Sequence, residues 1–217
     1  MNWKKKVFED FKLYAVTDIQ SESRDALKKI EDACRGGIDM IQLRSKTLPD
    51  QSLYELGLKI GKMAGHYRKL FFVNDRPDLA ILLSADGIHL GQEDLGVSAV
   101  RKLAARSGVR LWIGKSTHRL SQALAAVKEG ADYIGIGPVF ATPTKPDYRP
   151  AGLEFIRQAS GQVGIPFVAI GGIDDKNIDS VLTAGARRIA VVRAIFGAKN
   201  VCLAAQKLRE KIENFSG

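Results

Sequence analysis

A chain of 217 residues that is 45% hydrophobic can bury one sizeable core, and no stretch of it is long and apolar enough to span a membrane. Its net charge of +9 would suit nucleic acid, but the basic residues fall on helix faces with acids nearby, and no nucleic-acid motif is present. The charge therefore favours anionic small molecules, with neither nucleic acid nor a membrane as partner. The basic start, MNWKKKVFED, lacks the apolar segment of a signal peptide, so we expect a cytoplasmic protein.

Strand-like apolar runs alternate with amphipathic helical periods along the chain. The predicted strands cover residues 13–17, 40–43, 70–73, 87–90, 111–114, 133–137, 167–170 and 189–192. The predicted helices include residues 23–35, 50–67, 98–105, 120–129 and 176–184, a short one at 76–83 and a final one at 194–212. Eight strand–helix units in this length predict an α/β fold, a single-domain (β/α)8 TIM barrel over residues 1–217, with residues 1–10 as a short N-terminal extension. Cys34 and Cys202 fall in helical patterns, which suggests neither a disulfide framework nor a metal cluster.

Four segments share one pattern, in which a small residue ends a helix and a turn residue leads into a strand. They are GIDMIQLR, SADGIHLG, GADYIGIG and GARRIAVV, and they contain predicted strands 2, 4, 6 and 8. Side-chain layers built from alternate strands require such a repeat. The positions expected to face the helices are Ile41, Ile88, Ile134, Ile189, Leu43, Leu90, Ile136 and Val191. Those expected to face the barrel axis are Gln42, His89, Gly135, Ala190, Arg44, Gly91, Gly137 and Val192. An arginine and two glycines at the upper axial positions predict a hollow for an anionic ligand.

The ends of the predicted strands carry the candidate functional residues, because active sites of barrels lie at that face. Asp75 and Asp94 follow strands 3 and 4 amid positive charge. Oxygen ligands without histidine or cysteine companions suit Mg²⁺. The alternative is that both acids cap the helices that follow them.

A loop at residues 137–150 contains four prolines together with Thr142, Thr144 and Lys145. Such long loops are usually lids or binding loops, and these side chains are typical of a phosphate clamp, although an ordinary surface loop remains open. We expect the loop to be mobile without ligand and protected when substrates bind. Glycine-rich backbone after strand 7 and the helix start after strand 8 form the usual phosphate site of barrels.

The ordered series QLRSK, FFVNDRPDLA, ADGIHLGQEDL, IGKSTH, ADYIGIGPVFATPTK, PAGLE and VAIGGI resembles the thiamine phosphate synthase (thiamine-phosphate pyrophosphorylase) family, from about residue 13 to residue 195. Each motif alone is weak, but the ordered set is specific. The resemblance implies a Mg²⁺-dependent transferase that joins 4-amino-2-methyl-5-(diphosphooxymethyl)pyrimidine to 4-methyl-5-(2-phosphooxyethyl)thiazole. The products would be thiamine phosphate and pyrophosphate, formed through a dissociative, carbocation-like step that needs no general base.

The resemblance also implies a role for individual residues. The pyrimidine diphosphate would be bound by Gln42, Leu43, Arg44, Ser45, Lys46, Asn74, Ser116 and Lys145. Mg²⁺ would be held by Asp75 and Asp94, and the thiazole phosphate by Thr142, Pro143, Thr144, Gly172, Val192 and Arg193. The residues expected to take part in catalysis are Arg44, Lys46, Ser116 and Lys145. Two positions depart from the family: Ser45 stands where an acid is frequent, and Arg193 stands where a serine is common.

Three alternatives remain open at this point. A thiazole tautomerase-like relative would share the barrel but lack the full diphosphate-binding set. Another phosphate-binding barrel enzyme, such as an isomerase or lyase of tryptophan biosynthesis, would need a catalytic acid–base pair. His89 and His118 do not supply one, since neither has an evident partner, and we interpret them as core or supporting histidines. A non-catalytic anion-binding or RNA-binding protein would lack the paired aspartates. Whether the chain forms a homodimer is also open.

Overall fold

The computed structural model describes residues 3–20, 23–143 and 149–215. Eight parallel strands follow one another around a closed barrel, and β8 pairs with β1. The strands are β1 (Leu13–Val16), β2 (Met40–Leu43), β3 (Leu70–Asn74), β4 (Gly87–Leu90), β5 (Trp112–Thr117), β6 (Tyr133–Ile136), β7 (Phe167–Ile170) and β8 (Ile189–Val191). This architecture confirms the predicted (β/α)8 barrel.

Helices connect the strands and form the outer layer. They are α1 (Trp3–Asp10), α2 (Arg24–Arg35), α3 (Asp50–His66), α4 (Pro77–Leu82), α5 (Val97–Arg106), α6 (Leu120–Glu129), α7 (Gly152–Gln162), α8 (Ile178–Thr183), α9 (Arg193–Phe196) and α10 (Val201–Asn214). No helix in these described ranges is long and apolar enough to cross a membrane.

Three elements differ from the prediction by more than two residues. The N-terminal extension is largely the helix α1. The predicted final helix is divided into α9 and α10, because Asn200 begins a new helix by accepting the Leu203 N–H on its side-chain oxygen at 3.0 Å. Strand β5 continues to Thr117, three residues beyond its predicted end at residue 114. Its polar end is accommodated inside the protein, where Lys115 donates to the Gly91 carbonyl at 2.7 Å.

The strands present the two faces that the four-segment pattern predicts. Every apolar position assigned to the helical side, from Ile41 to Val191, belongs to the cluster buried between strands and helices. The residues at the positions assigned to the barrel axis form part of the lining of the cavity inside the barrel mouth. Below that cavity, a second buried cluster, half of whose residues are aromatic, fills the barrel.

Glycines on the strands make room for the aromatic rings of this inner cluster. A Cβ atom at Gly114 would lie 2.2 Å from Cζ of Tyr133, and one at Gly87 would lie 2.3 Å from Cε1 of Phe72. These distances are far below van der Waals contact, so a side chain at either glycine would displace a ring.

Helix α1 closes the N-terminal end of the barrel. Phe8 is 8% exposed and stacks on Trp112 with ring centroids 4.5 Å apart. Such a stacked pair adds to the free energy gained from burying the rings. Lys4 of the same helix forms an ion pair with Asp86 at 2.6 Å. The lower end of the barrel is therefore a sealed floor rather than an opening.

Three aspartates at this floor connect neighbouring strands, and they are the third residues of three of the four repeated segments. Each carboxylate accepts a backbone N–H at the start of the preceding odd-numbered strand and also pairs with a cation. Asp39 accepts the Leu13 N–H at 3.0 Å and pairs with Arg209. Asp86 accepts the Phe71 N–H at 2.8 Å and pairs with Lys4. Asp132 accepts the Ile113 N–H at 2.7 Å and pairs with Arg101. The pattern thus satisfies backbone donors that would otherwise be buried without partners.

Candidate active site

A cavity of about 620 Å³ opens at the C-terminal ends of the strands. This volume and position are typical of a small-molecule site in a barrel. Eleven of the predicted site residues line it: Gln42, Arg44, Lys46, Asn74, Asp75, Asp94, Ser116, Thr142, Gly172, Val192 and Arg193. Residues from seven different strand ends, β2 to β8, therefore meet at one place, as the sequence predicts.

The remaining predicted site residues do not line this cavity in the described part of the chain. Leu43 is 1% exposed and packs between strands and helices, as its position in the repeated pattern requires, so its side chain is not available to a ligand. The Ser45 hydroxyl accepts the backbone N–H of Leu48 at 3.0 Å and so shapes the turn after β2. Pro143 lies outside the lining. Thr144 and Lys145 lie outside the described residues.

Arg44 follows β2 and is held at both its backbone and its side chain. Its N–H donates to the Thr17 hydroxyl at 2.8 Å, and that hydroxyl donates to the Arg44 carbonyl at 3.1 Å. The guanidinium pairs with Asp18, and the side chain is only 12% exposed. Since a guanidinium carries five N–H donors, this pair leaves others to meet an anion in the cavity.

Lys46, Asp75 and Asp94 form a charged group on the adjoining wall. Lys46 Nζ lies 2.7 Å from Asp75 Oδ2, and the two carboxyl groups are hydrogen-bonded to each other. Asp75 has a left-handed backbone with φ of 62°, which is uncommon for a residue other than glycine and is often found at functional sites.

The two acids of this group have pKa values shifted in opposite directions. Burial and the hydrogen bond to Asp75 raise the pKa of Asp94, although the Gly91 N–H, which donates to it at 2.6 Å, acts against the shift. Burial also tends to raise the pKa of Asp75, but hydrogen bonds from Asp94 and Lys46 outweigh it and leave that pKa below its usual value. Asp75 is therefore the more readily ionised of the two carboxyl groups.

The donor set of this wall fits Mg²⁺ shared with a substrate. Two carboxyl groups lie together, and the described residues contain no cluster of three or more His, Cys, Asp or Glu side chains that could hold an ion alone. Mg²⁺ commonly takes one or two carboxylates and completes its shell with water and substrate phosphates. The capping alternative is not what the structure shows, since α4 and α5 are preceded by Arg76 and Gly96 without side-chain caps.

A chain of hydrogen bonds crosses the bottom of the cavity. Gln42 Nε2 donates to the Tyr14 hydroxyl at 2.6 Å, and the hydroxyls of Tyr14 and Tyr133 are 3.3 Å apart. The Tyr133 hydroxyl lies 2.9 Å from His89 Nδ1, and His89 Nε2 lies 2.9 Å from the Ser116 hydroxyl. The expectation that His89 lacks a partner is therefore wrong. Its ring bridges two hydroxyl groups and lines the cavity.

His118 also has a partner, contrary to the expectation. Its Nδ1 donates to the Gly137 carbonyl at the end of β6, and its backbone N–H donates to Gln122 Oε1 at 2.8 Å. These contacts connect the end of β5 to the beginning of the loop after β6. The interpretation of His118 as a supporting residue agrees with this arrangement.

The opposite wall of the cavity is formed after β7 and β8. Gly171 and Gly172 have φ values of 104° and 67°, and a Cβ at Gly172 would lie 2.8 Å from the Ala141 carbonyl oxygen. The chain after β6 therefore packs closely on this glycine pair. Arg193 lines the same wall, and no carboxylate of the described residues is paired with it. Arg193 therefore does not turn outward to pair with an acid of the described residues.

Known proteins resemble this chain over most of its length. The sequence profile of the family described as thiamine monophosphate synthase matches residues 13–195. The thiamine-phosphate synthase of Thermus thermophilus is 48% identical over 187 residues, which are 86% of this chain and 88% of the relative.

The chain belongs to the thiamine monophosphate synthase family.

A solved structure agrees with this assignment. The thiamine phosphate pyrophosphorylase from Pyrococcus furiosus is 39% identical, superposes with a TM-score of 0.88, and is matched over 97% of this chain and 100% of its own. The thiamine-phosphate synthase of Gloeobacter violaceus is 45% identical over 87% of this chain, which spans only 54% of that longer relative. The family predicted from the ordered motifs is confirmed.

Some residues of the site in this thiamine monophosphate synthase family member are not evident from its motifs. Asp18 pairs with Arg44, yet it follows β1, a strand end without a recognisable motif. Tyr14 and Tyr133 are buried in the apolar interior of the barrel. Their signal in the sequence is a hydroxyl-bearing ring at an inward strand position, because a buried tyrosine usually has a hydrogen-bond partner.

Proposed function

We propose that this chain is a Mg²⁺-dependent thiamine-phosphate synthase. It would transfer the 4-amino-2-methylpyrimidine-5-methyl group from its diphosphate to the ring nitrogen of a thiazole phosphate. Membership of the family supports the transferase class, which the sequence predicts. The observation that supports the proposal is that basic side chains line two sides of one cavity of about 620 Å³. Arg44 and Lys46 lie on one wall, and Gly172 and Arg193 lie on the other.

The wall formed after β2 to β4 suits the diphosphate. Arg44 and Lys46 supply two positive charges, and each is already paired with an acid, Asp18 or Asp75. Such pairs hold the cations in place before an anion arrives, which limits the reorganisation needed when charge develops on the leaving group. Lys46 is 59% exposed and can turn from Asp75 to a diphosphate oxygen.

Asp75 and Asp94 are the residues that would hold Mg²⁺. When bound there together with the diphosphate, the ion supplies positive charge that neutralises the leaving pyrophosphate. Lys145 would add a further charge to the same leaving group. It lies outside the described residues, so its assignment rests on the motif ATPTK alone.

The bond changes of the reaction need no proton transfer by the protein. The bond between the methylene carbon and the diphosphate oxygen breaks, and its electron pair leaves with pyrophosphate. The thiazole nitrogen then forms the new bond to that carbon with its own lone pair. The pyrimidine amino group can stabilise the intervening cation. This is consistent with a cavity whose two histidines are engaged in hydrogen bonds within the barrel.

The wall formed after β7 and β8 suits the thiazole phosphate. Gly172 exposes backbone that a side chain would cover, and the Arg193 guanidinium can make a charge-assisted and bidentate contact with a phosphate. Thr142 adds a hydroxyl from the chain that packs on the glycine pair. Because the two walls face each other, the diphosphate carbon and the thiazole nitrogen would meet between them.

Product formation tests the proposed function directly. The purified chain is mixed with both phosphorylated substrates and Mg²⁺, and we expect thiamine phosphate and pyrophosphate in equal amounts. Omission of either substrate, or removal of Mg²⁺ with a chelator, should abolish the product. Absence of thiamine phosphate from a folded sample under all Mg²⁺ concentrations would contradict the proposal. The single domain over residues 1–217, the cytoplasmic location, the absence of a nucleic-acid or membrane partner and the homodimer all stay predictions.

A further inference from the structure

The hydrogen-bond chain below the cavity connects two groups that face the ligand space. It begins at Gln42 on β2 and ends at Ser116 on β5, and both residues line the cavity. The intermediate members, Tyr14, Tyr133 and His89, come from β1, β6 and β4. Tyr14 is 1% exposed and Tyr133 is fully buried. Five side chains from five strands are therefore joined in one line across the barrel.

For the Gln42 amide as oriented in this structure, a count of protons gives the direction of the chain. Gln42 Nε2 carries only donors, so the Tyr14 oxygen accepts from it. The single Tyr14 proton is then available to the Tyr133 oxygen, and the Tyr133 proton is available to His89 Nδ1.

The same count fixes the far end of the chain. A neutral imidazole that accepts at Nδ1 carries its proton at Nε2, so His89 donates to the Ser116 oxygen. The Ser116 proton is left to point into the cavity.

Both tyrosines retain the protons that this count requires. Burial raises the pKa of Tyr14 far above its usual value, although its hydrogen bonds with Tyr133 and Gln42 act against the shift. Burial likewise raises the pKa of Tyr133, and the neighbouring Tyr14 adds to the effect. Each hydroxyl is therefore one donor and one acceptor at neutral pH.

We infer that Tyr133, together with Tyr14, is a positioning residue that holds His89 in the Nε2–H tautomer and thereby presents Ser116 as a donor and the Gln42 carbonyl as an acceptor. A donor and an acceptor on one cavity floor match an aminopyrimidine, whose amino group donates and whose ring nitrogens accept. This identification of the ligand rests on the proposed function. The direction of the chain does not, because it depends only on the orientation of the Gln42 amide and on the tautomer of His89 within the protein.

The position of Tyr133 is fixed by packing that does not involve its hydroxyl. Its ring lies where a Cβ of Gly114 would be, and it makes edge contacts with Phe72 and Phe11 at centroid distances of 5.8 and 6.2 Å. Tyr133→Phe therefore removes the oxygen and preserves the ring contacts. The substitution breaks the hydrogen-bond chain without opening a large cavity in the core.

The opposite direction of the chain is the competing arrangement. With the Gln42 amide turned over, its carbonyl would accept from Tyr14, and each later hydroxyl would donate toward Gln42. His89 would then carry its proton at Nδ1 and accept from Ser116 at Nε2. The tautomer of His89 distinguishes the two directions, because only one ring nitrogen is protonated in each.

Nitrogen-15 NMR of the histidine rings tests the inference on the full chain. The protein has three histidines, so assignment by single substitution is practical. We expect the Nε2–H tautomer for His89 in the unsubstituted protein and a shift toward Nδ1–H in Tyr133→Phe. Tyr67→Phe is the matched control, because the Tyr67 hydroxyl donates to Glu31 at 2.7 Å outside the barrel. An Nδ1–H tautomer in the unsubstituted protein, or an unchanged His89 in Tyr133→Phe, would overturn the inference.

Steady-state kinetics provide the second test. In Tyr133→Phe we expect KM for the pyrimidine diphosphate to rise roughly tenfold, the usual effect of losing one oriented hydrogen bond, with KM for the thiazole phosphate unchanged. Tyr67→Phe should change neither value. An equal rise in both KM values would mean a general structural effect and would overturn the positioning role.

A second variant and the NMR measurement distinguish failure of this inference from failure of the proposed function. Tyr14→Phe breaks the same chain one bond earlier and replaces Tyr133→Phe in both tests if the latter does not fold. If the unsubstituted protein makes no thiamine phosphate, the proposed function fails, but the NMR result still decides the direction of the chain.

Discussion

The floor and the mouth of this barrel both carry aspartates paired with cations, and the partners of the carboxylates differ between the two ends. At the floor, Asp39 and Asp132 accept backbone N–H groups of neighbouring strands in addition to a cation. At the mouth, Asp18 and Asp75 hold Arg44 and Lys46, and neither carboxylate accepts a strand N–H from the described residues.

Aspartate–cation pairs therefore have two different roles in this barrel. A floor aspartate satisfies buried backbone donors, so its loss leaves them without a partner and destabilises the fold. At the mouth, Asp18 and Asp75 are paired with side chains, and such a carboxylate can exchange its partner for a metal ion or release it to a diphosphate. The floor pairs should therefore govern stability, and the mouth pairs should govern turnover.

The largest effect is expected from removing a charge at the mouth. Asp75→Asn or Asp94→Asn should lower the rate at least about 100-fold, or about 2.7 kcal/mol of transition-state stabilisation, because the Mg²⁺–diphosphate complex loses a ligand. The free energy of unfolding should change little. Turnover measured against Mg²⁺ concentration tests this, and Asp78→Asn is a control, since Asp78 pairs with Arg76 outside the cavity. Near-normal rates for both variants at low Mg²⁺ would contradict the metal assignment.

The converse substitution at the floor should affect stability. Asp39→Ala leaves the N–H groups of Lys12 and Leu13 without their acceptor, and it should lower the free energy of unfolding by about 2–3 kcal/mol. Denaturant unfolding measures this loss. Asp25→Ala, which removes an exposed helical pair with Lys29, should cost about 0.5 kcal/mol or less. Equal losses in the two variants would show that the floor aspartate has no special role.

Arg193 extends the comparison, because it is a cation at the mouth that forms no ion pair with an acid of the described residues. Arg193→Ser should weaken binding of the thiazole phosphate by about 1–3 kcal/mol, the range for a hydrogen bond to a charged group. Binding of the pyrimidine diphosphate should hardly change, because its expected contacts lie on other strands. Michaelis constants for both substrates test this, with Arg157→Ser as a surface control. An unchanged constant for the thiazole phosphate would mean that Arg193 does not contact it.

The sequence predicts the fold well where each element has its own periodic signal. Strands β2, β4 and β7 have their predicted bounds, and the repeated segments assign both faces of the even-numbered strands. Helix α1 was not predicted because its short, basic sequence has little periodicity of its own, and its stability comes from packing of Phe8 on Trp112. Tertiary contacts of this kind outweigh local propensity.

The site is predictable only where a residue carries its chemistry in a motif. Charged residues at the strand ends, such as Arg44 and Asp75, follow from barrel geometry and from the family resemblance. The hydrogen bond between Tyr14 and Tyr133 joins residues that are 119 positions apart, and no local pattern indicates it. The pair of Arg44 with Asp18 likewise depends on the closing of β1 against β2.

The most direct test of this account is thiamine phosphate formation per folded molecule in two matched variants, Asp75→Asn at the mouth and Asp132→Asn at the floor. Both replace an acid by its amide, and both break an ion pair, with Lys46 or with Arg101. The account predicts a rate lowered at least about 100-fold for Asp75→Asn and an unchanged rate for folded Asp132→Asn. Equal rates in the two variants would contradict it.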